Sequence, residues 1–311
     1  MMFAVCGEAL FDVFATGRTP TGLALDARIG GSPFNVAVGL SRLGQRSALV
    51  TVLSQGFLGE RLVQALSEEG VEWRLSQRSA APTTLSLVGL DPQGVPSYAF
   101  YGDQGADRLL DESVLLAAWP DDVACIHVGS YATVVGRTAQ TQRLLIEREH
   151  HRSLISYDPN VRLNVEPDPA VWRAQIDWML TRTHLLKISD EDLELLYPGL
   201  PLQTFAERAL AAGVQCVVVT RGGQGAWGWT PELHVVAQPV RVTVVDTVGA
   251  GDTFQAALLT WLAENDGLRA SALGRVSRAD LESALAFASS AAAVTCSRRG
   301  AALPRRADLL A

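Results

Sequence analysis

The sequence predicts an α/β protein on a doubly wound, mostly parallel sheet with helices on both faces, joined by a small separate β-sheet. Three observations carry that prediction. Short β-branched or apolar runs alternate with helix-periodic segments from one end of the chain to the other. Most of those runs are largely apolar rather than strictly alternating, as strands covered on both faces tend to be. Two stretches, 10–29 and 83–102, break the rhythm and lack a helical period.

Strand candidates lie at 3–6, 47–53, 126–128, 154–157, 184–186, 216–220 and 240–245. Between them, Leu58, Leu62, Leu66 and Glu69 keep helical spacing up to Gly70, and 139–150, 204–212 and 280–294 follow the same pattern. In the second irregular stretch, strands at 84–90 and 95–101 flank Asp91-Pro92-Gln93-Gly94, a good turn sequence. Together the two stretches form a candidate lid over the larger sheet. No linker, repeat or charge block interrupts 1–311, so the chain reads as one domain.

With 311 residues, 48% of them apolar and 19% charged, the chain can bury a large core. Its net charge of −7 argues against a nucleic-acid partner, whose footprint would be basic. No run of about 18 apolar residues offers a membrane span. Glu8 comes too early, with no basic segment before it, for a signal peptide, and a cytoplasmic protein is expected. Cys6, Cys125, Cys216 and Cys296 are far apart, and neither they nor the histidines show metal-ligand spacing. The cysteines read as small buried hydrophobes.

In an open α/β sheet, ligands bind beyond the carboxyl ends of the strands. Polar and glycine-rich segments collect there four times: at Gly7, Glu8 and Asp12, at Asp158-Pro159-Asn160-Val161-Arg162, at Arg221-Gly222-Gly223-Gln224-Gly225, and at 246–252. The last is the most telling. Gly249-Ala250-Gly251 leads into a helix with the apolar series Phe254, Leu258, Trp261 and Leu262. Glycines let backbone N–H groups approach a ligand, and with the helix dipole they make an anion hole. Asp252, in the first turn beside that hole, can accept the proton of a hydroxyl attacking a phosphate. Phe254 stands where a dinucleotide fingerprint needs its third glycine. The only lysine, Lys187, lies between leucine and isoleucine, which excludes Walker-type and protein-kinase-type phosphate loops. Gly30-Gly31-Ser32-Pro33-Phe34-Asn35 opens another helix, with Ser32 as the expected N-cap and Val36, Leu40 and Leu43 on the core face. Asn35 stands off that face, where its amide can both donate to and accept from a sugar hydroxyl.

Taken together, these residues resemble the ribokinase–fructokinase (PfkB) family of carbohydrate kinases over essentially the whole chain. Residues 30–37 resemble the family's N-terminal signature and 246–254 its C-terminal signature. The resemblance implies a ribokinase-like fold with a β-sheet lid, and ATP with Mg2+ and a monovalent cation such as K+. It implies that Gly249, Ala250 and Gly251 form the anion hole and that Asp252 is the base. Asp12, Gly31, Asn35 and Arg162 would meet the sugar, and Thr220, Gly222, Gly223 and Gly225 the nucleotide. Asp246 and Asp192 are its metal candidates, although Ser189-Asp190-Glu191-Asp192 departs from the family's Asn-x-x-Glu motif.

Within the family, residues 7–12, 98–101, 105–107 and 158–162 look most like fructokinases, while 2-keto-3-deoxygluconate kinases share the Asp-Pro-Asn-x-Arg element. The expectation is a fructokinase. The alternatives are a 2-keto-3-deoxygluconate kinase or another sugar or nucleoside kinase of the family, or an inactive sugar-binding module. Exposed lid strands suggest a homodimer.

Overall fold

The structure, a computed structural model, describes residues 1–90 and 96–309; the expected turn at Asp91-Pro92-Gln93-Gly94 lies outside them. In chain order, β1 (Met2–Cys6) leads to a hairpin of β2 (Leu10–Thr19) and β3 (Gly22–Gly30). After it come α1 (Ser32–Arg42), β4 (Ser47–Val50), β5 (Val52–Ser54), α2 (Phe57–Glu68), β6 (Gln77–Ser79), β7 (Leu85–Leu90) and β8 (Pro96–Tyr101). The middle of the chain holds α3 (Glu112–Ala118), β9 (Val123–Gly129), α4 (Gly136–Glu149), β10 (Leu154–Asp158), α5 (Pro169–Leu180), β11 (Leu185–Ser189), α6 (Asp190–Leu196), α7 (Leu202–Ala212) and β12 (Cys216–Thr220). A hairpin of β13 (Ala226–Trp229) and β14 (His234–Ala237) precedes α8 (Ala250–Glu264), α9 (Ala270–Leu273) and α10 (Arg278–Cys296).

The eight-stranded main sheet has the order β14-β13-β12-β11-β10-β9-β1-β4. Its pairs from β4 to β12 are all parallel, and only β13 and β14 run antiparallel at the edge. Because side chains alternate along a strand, each central strand feeds two cores. Phe3, Val5, Cys125, Leu185 and Val218 face α1, α2, α8 and α10. Ala4, Cys6, Ile126, Ile155, Leu186 and Val219 face the layer containing Trp172, Ile176, Leu193 and Phe205. The chain first builds β1 and β4, then crosses to β9 on the other side of β1. That reversal opens a crevice at the carboxyl ends of β1 and β9, the switch point where such sheets bind ligands.

A second sheet, β3-β2-β7-β8, is formed by the two stretches that lacked helical period, with β2 and β7 parallel. The buried Phe11 and Val13 of β2 root it in the core beside α1.

Three expectations need correction. The run at 47–53 is two strands, since β4 joins the main sheet while β5 pairs with β6. The expected strand at 240–245 is irregular and exposed: the amides of Val245 and Asp246 donate to the Cys296 carbonyl at the end of α10, so no neighbouring strand receives them. Its valines have high β propensity, but propensity without a partner strand makes no ladder. Lastly, Gly31 rather than Ser32 is the N-cap of α1, and it makes no side-chain cap. The Ser32 hydroxyl is therefore free for another bond.

Candidate active site

Gly249 caps α8 with a left-handed φ of 77°, a conformation that suits glycine, and the chain turns there into Ala250 and Gly251. Asp252 sits in the first turn of the helix and is only 8% exposed. Both of its oxygens are held from α1: Ser32 Oγ donates to Oδ1 at 2.6 Å and Asn35 Nδ2 donates to Oδ2 at 2.8 Å. The first turns of α1 and α8 thus converge on one carboxylate, and both present the positive ends of their dipoles to it.

Behind this turn lies Lys187 of β11. Its Nζ is 3.2 Å from the place a Cβ on Gly251 would occupy, and it donates to Asp158 Oδ2 at 2.7 Å. Burial alone would pull this ammonium down, but the charges of Asp158, Asp192 and Asp252 outweigh it and hold it above the usual lysine value. Burial also raises the Asp158 carboxyl above the usual range, against the pull of Lys187. Asp158 Oδ1 is buried without a hydrogen-bond partner. Asp192 Oδ1 accepts from the Val161 amide at 3.0 Å and props the 158–162 loop from α6.

On the other side of Asp252 is Asp12 of β2. Burial raises its carboxyl above the usual range, opposed by a Ser86 hydrogen bond and the charge of Arg162. The glycine pair at the end of β3 is there for close approach. A Cβ on Gly30 would fall 2.3 Å from Asp12 Oδ2, and one on Gly31, whose φ is 105°, 2.7 Å from the Glu8 carbonyl. Arg162 is exposed and, among the described residues, bonds only backbone carbonyls, at Asn160 and Val161.

Glu8 is almost fully buried beside Asp107, which is itself held by Tyr131 and Thr84. Burial pushes the Glu8 carboxyl up to about 8, against a Ser130 hydrogen bond, and Asp107 pushes it further the same way. The folded chain therefore binds this proton more tightly than the unfolded chain does. The stability it contributes is full below the ordinary glutamate range and is lost as pH rises through about 8. Melting temperatures measured from pH 5 to 9 are expected to decline in the wild type. Glu8→Gln, which keeps a neutral side chain at every pH, should flatten that part of the slope; an unchanged slope would place the titration elsewhere.

The nucleotide candidates occupy the end of the neighbouring strand. Thr220 closes β12, and residues 222–224 form a single 3₁₀ turn in which Gly222 and Gly225 have φ of 48° and 87°. Arg221 stacks 4.7 Å over Trp227 and pairs with Asp190 at 3.6 Å, bordering a groove lined by Glu191, Glu194, Gly222 and Gly223. Asp246 stands apart from this group. Its oxygens accept from the Val248 and Gly300 amides, and these bonds hold it ionised below the usual range despite its partial burial. Among the described residues, no three His, Cys, Asp or Glu side chains form a ready metal cage. Asp192 fits a metal better than Asp246, because it shares the charge cluster around Lys187 with the unpartnered Asp158 oxygen.

The site also contains Ser32, Asp158 and Lys187, to which sequence reasoning assigned no role in it. Lys187 carried a signal, because a charge inside an otherwise apolar strand is rare unless paired.

A family model described as "pfkB family carbohydrate kinase" matches residues 3–308. The chain is 34% identical over 261 residues to a fructokinase of Rhizobium leguminosarum bv. trifolii, covering 84% of this chain and 79% of that protein. Its fold superposes with a TM-score of 0.89 and 26% identity on a fructokinase from Xylella fastidiosa solved with bound ATP, across 99% of this chain and 97% of that one. A fructokinase double mutant from Vibrio cholerae O395, solved with fructose, ADP and potassium ion, matches at a TM-score of 0.83 and 25% identity over 99% and 97%. Over nearly its whole length, therefore, the chain belongs to the PfkB family of carbohydrate kinases.

Proposed function

We propose that this ATP-dependent sugar kinase acts on fructose, with Asp252 as the base. The observation that carries the reading is the Asp252 carboxylate, held by two buried donors at the mouth of the Gly249–Gly251 turn. A sugar hydroxyl oxygen attacks the γ-phosphorus of ATP, the bond from that phosphorus to the β,γ-bridging oxygen breaks, and ADP leaves. Asp252 takes the hydroxyl proton, while the turn's N–H groups and the dipole of α8 face the charge developing on the phosphoryl oxygens. Asp12 and Asn35 supply a carboxylate and an amide suited to neighbouring hydroxyls of a neutral sugar. Thr220, Gly222, Gly223 and Gly225 form the nucleotide side. Mg2+ entering with ATP would neutralise phosphate charge, with Asp192, beside the unpartnered Asp158 oxygen, as the protein carboxylate that fits it. A monovalent cation such as K+ is part of the same reading. The small sheet is the lid, its outer strands offer a homodimer surface, and the protein works in the cytoplasm.

A second reading rests on Arg162, an exposed guanidinium at the site with no carboxylate partner among the described residues. It could hold the carboxylate of 2-keto-3-deoxygluconate. Measuring kcat/KM by ADP release on fructose, ribose, adenosine and 2-keto-3-deoxygluconate separates the two. Fructose is expected to lead. If the keto-acid leads, and Arg162→Ala raises its KM selectively, the second reading replaces the first.

A further inference from the structure

We infer that Ser32 is a positioning residue for the phosphoryl transfer, aiming the carboxylate of Asp252 at the acceptor hydroxyl; the inference rests on Asp252 being the base. Serine at the start of a helix ordinarily spends its hydroxyl on capping. Here Gly31 takes the cap position, and the hydroxyl crosses to a residue 220 positions away in sequence, at 2.6 Å, with both groups buried.

The terminal torsion of an aspartate is broad, so an unheld carboxylate samples many directions. Ser32 fixes Oδ1 and Asn35 fixes Oδ2, and each oxygen keeps a lone pair for an incoming hydroxyl. Asn35 can turn to a sugar hydroxyl, since its amide carries both a donor and an acceptor. Ser32, buried like Asn35, has a single proton, and it goes to the carboxylate. Asn35 divides its donors and acceptor between carboxylate and sugar, whereas the Ser32 hydroxyl serves Asp252 alone. A base displaced by a fraction of an ångström loses alignment with the attacking oxygen, and such losses appear in turnover rather than in affinity.

The test uses the full chain with fructose and ATP in a coupled ADP-release assay. Ser32→Ala is expected to lower kcat by roughly 10- to 150-fold, the range for one positioned hydrogen bond to a charged group. The KM values for both substrates should stay within about threefold. Ser32→Thr, which keeps the hydroxyl, should recover most of the loss. In an Asp252→Asn background, Ser32→Ala should cost nothing further, because a residue that acts through the carboxylate has nothing left to aim. Melting curves of each variant check that the fold survives. Wild-type kcat in Ser32→Ala overturns the inference, and so does a raised sugar KM at unchanged kcat, which would make Ser32 a sugar contact. A further loss in the Asp252→Asn background overturns it as well. Should Asp252→Asn itself stay active, the base assignment fails and the inference goes with it. An inactive Asp252→Asn beside an unaffected Ser32→Ala removes the inference alone.

Discussion

Asp252→Asn is expected to lower kcat by roughly 10²- to 10⁴-fold, the usual contribution of a general base. The substitution suits the site well enough to be informative. An asparagine amide can turn its oxygen to Asn35 Nδ2 and its NH2 to the Ser32 hydroxyl, which can accept, so both bonds seen in the native site have replacements. Only the proton acceptor is removed. Sugar affinity by calorimetry, and the melting temperature, should move little. A variant that keeps a tenth of the wild-type kcat would show that the proton leaves by another route.

Lys187→Met should have the largest effect on stability. Lys187 and Asp158 face each other across neighbouring strands with side chains 6% and 2% exposed. Removing the cation leaves Asp158 buried beside Asp192 and Asp252 with nothing to offset their charge. Breaking one half of such a pair costs about 3–5 kcal/mol, whereas replacing both halves with neutral groups is often harmless. The melting temperature of Lys187→Met is therefore expected to fall by roughly 5–15 °C, and Lys187→Met with Asp158→Asn should regain most of that fall. Equal melting of the two variants would mean that the carboxylate escapes its burial by protonation or rearrangement.

The main sheet was legible because β1, β10, β11 and β12 are mostly apolar runs between helical segments, which is how strands covered on both faces are composed. The same rule misread 240–245, where five residues of high β propensity face solvent. Period and propensity describe a strand's own residues and say nothing of whether a neighbour is present. In the candidate site, Asp252 could be singled out locally because the Gly249-Ala250-Gly251 turn adjoins it in sequence. Its clamp could not: Ser32 and Asn35 meet it only once α1 and α8 have packed, and the local rule for serine at a helix start pointed to capping instead. The Asp158–Lys187 pair was hidden for a related reason. A charged residue in a strand announces that it needs a partner, but only the packing of β10 beside β11 names which one.

The burial of that pair has a practical side. Of the 26 basic residues in the chain, Lys187 alone is a lysine. Its side chain is sealed against Asp158 and held protonated, so it is neither accessible nor nucleophilic in the folded structure. Amine-directed dyes and cross-linkers, which modify most proteins at many surface positions, find no surface lysine here. Acylation at Lys187 instead becomes a clock for the opening of the candidate site: each event requires the β10–β11 edge to separate from the Gly249–Gly251 turn. A ligand that seats on that turn would slow the clock, and the delay can be read by mass from one peptide.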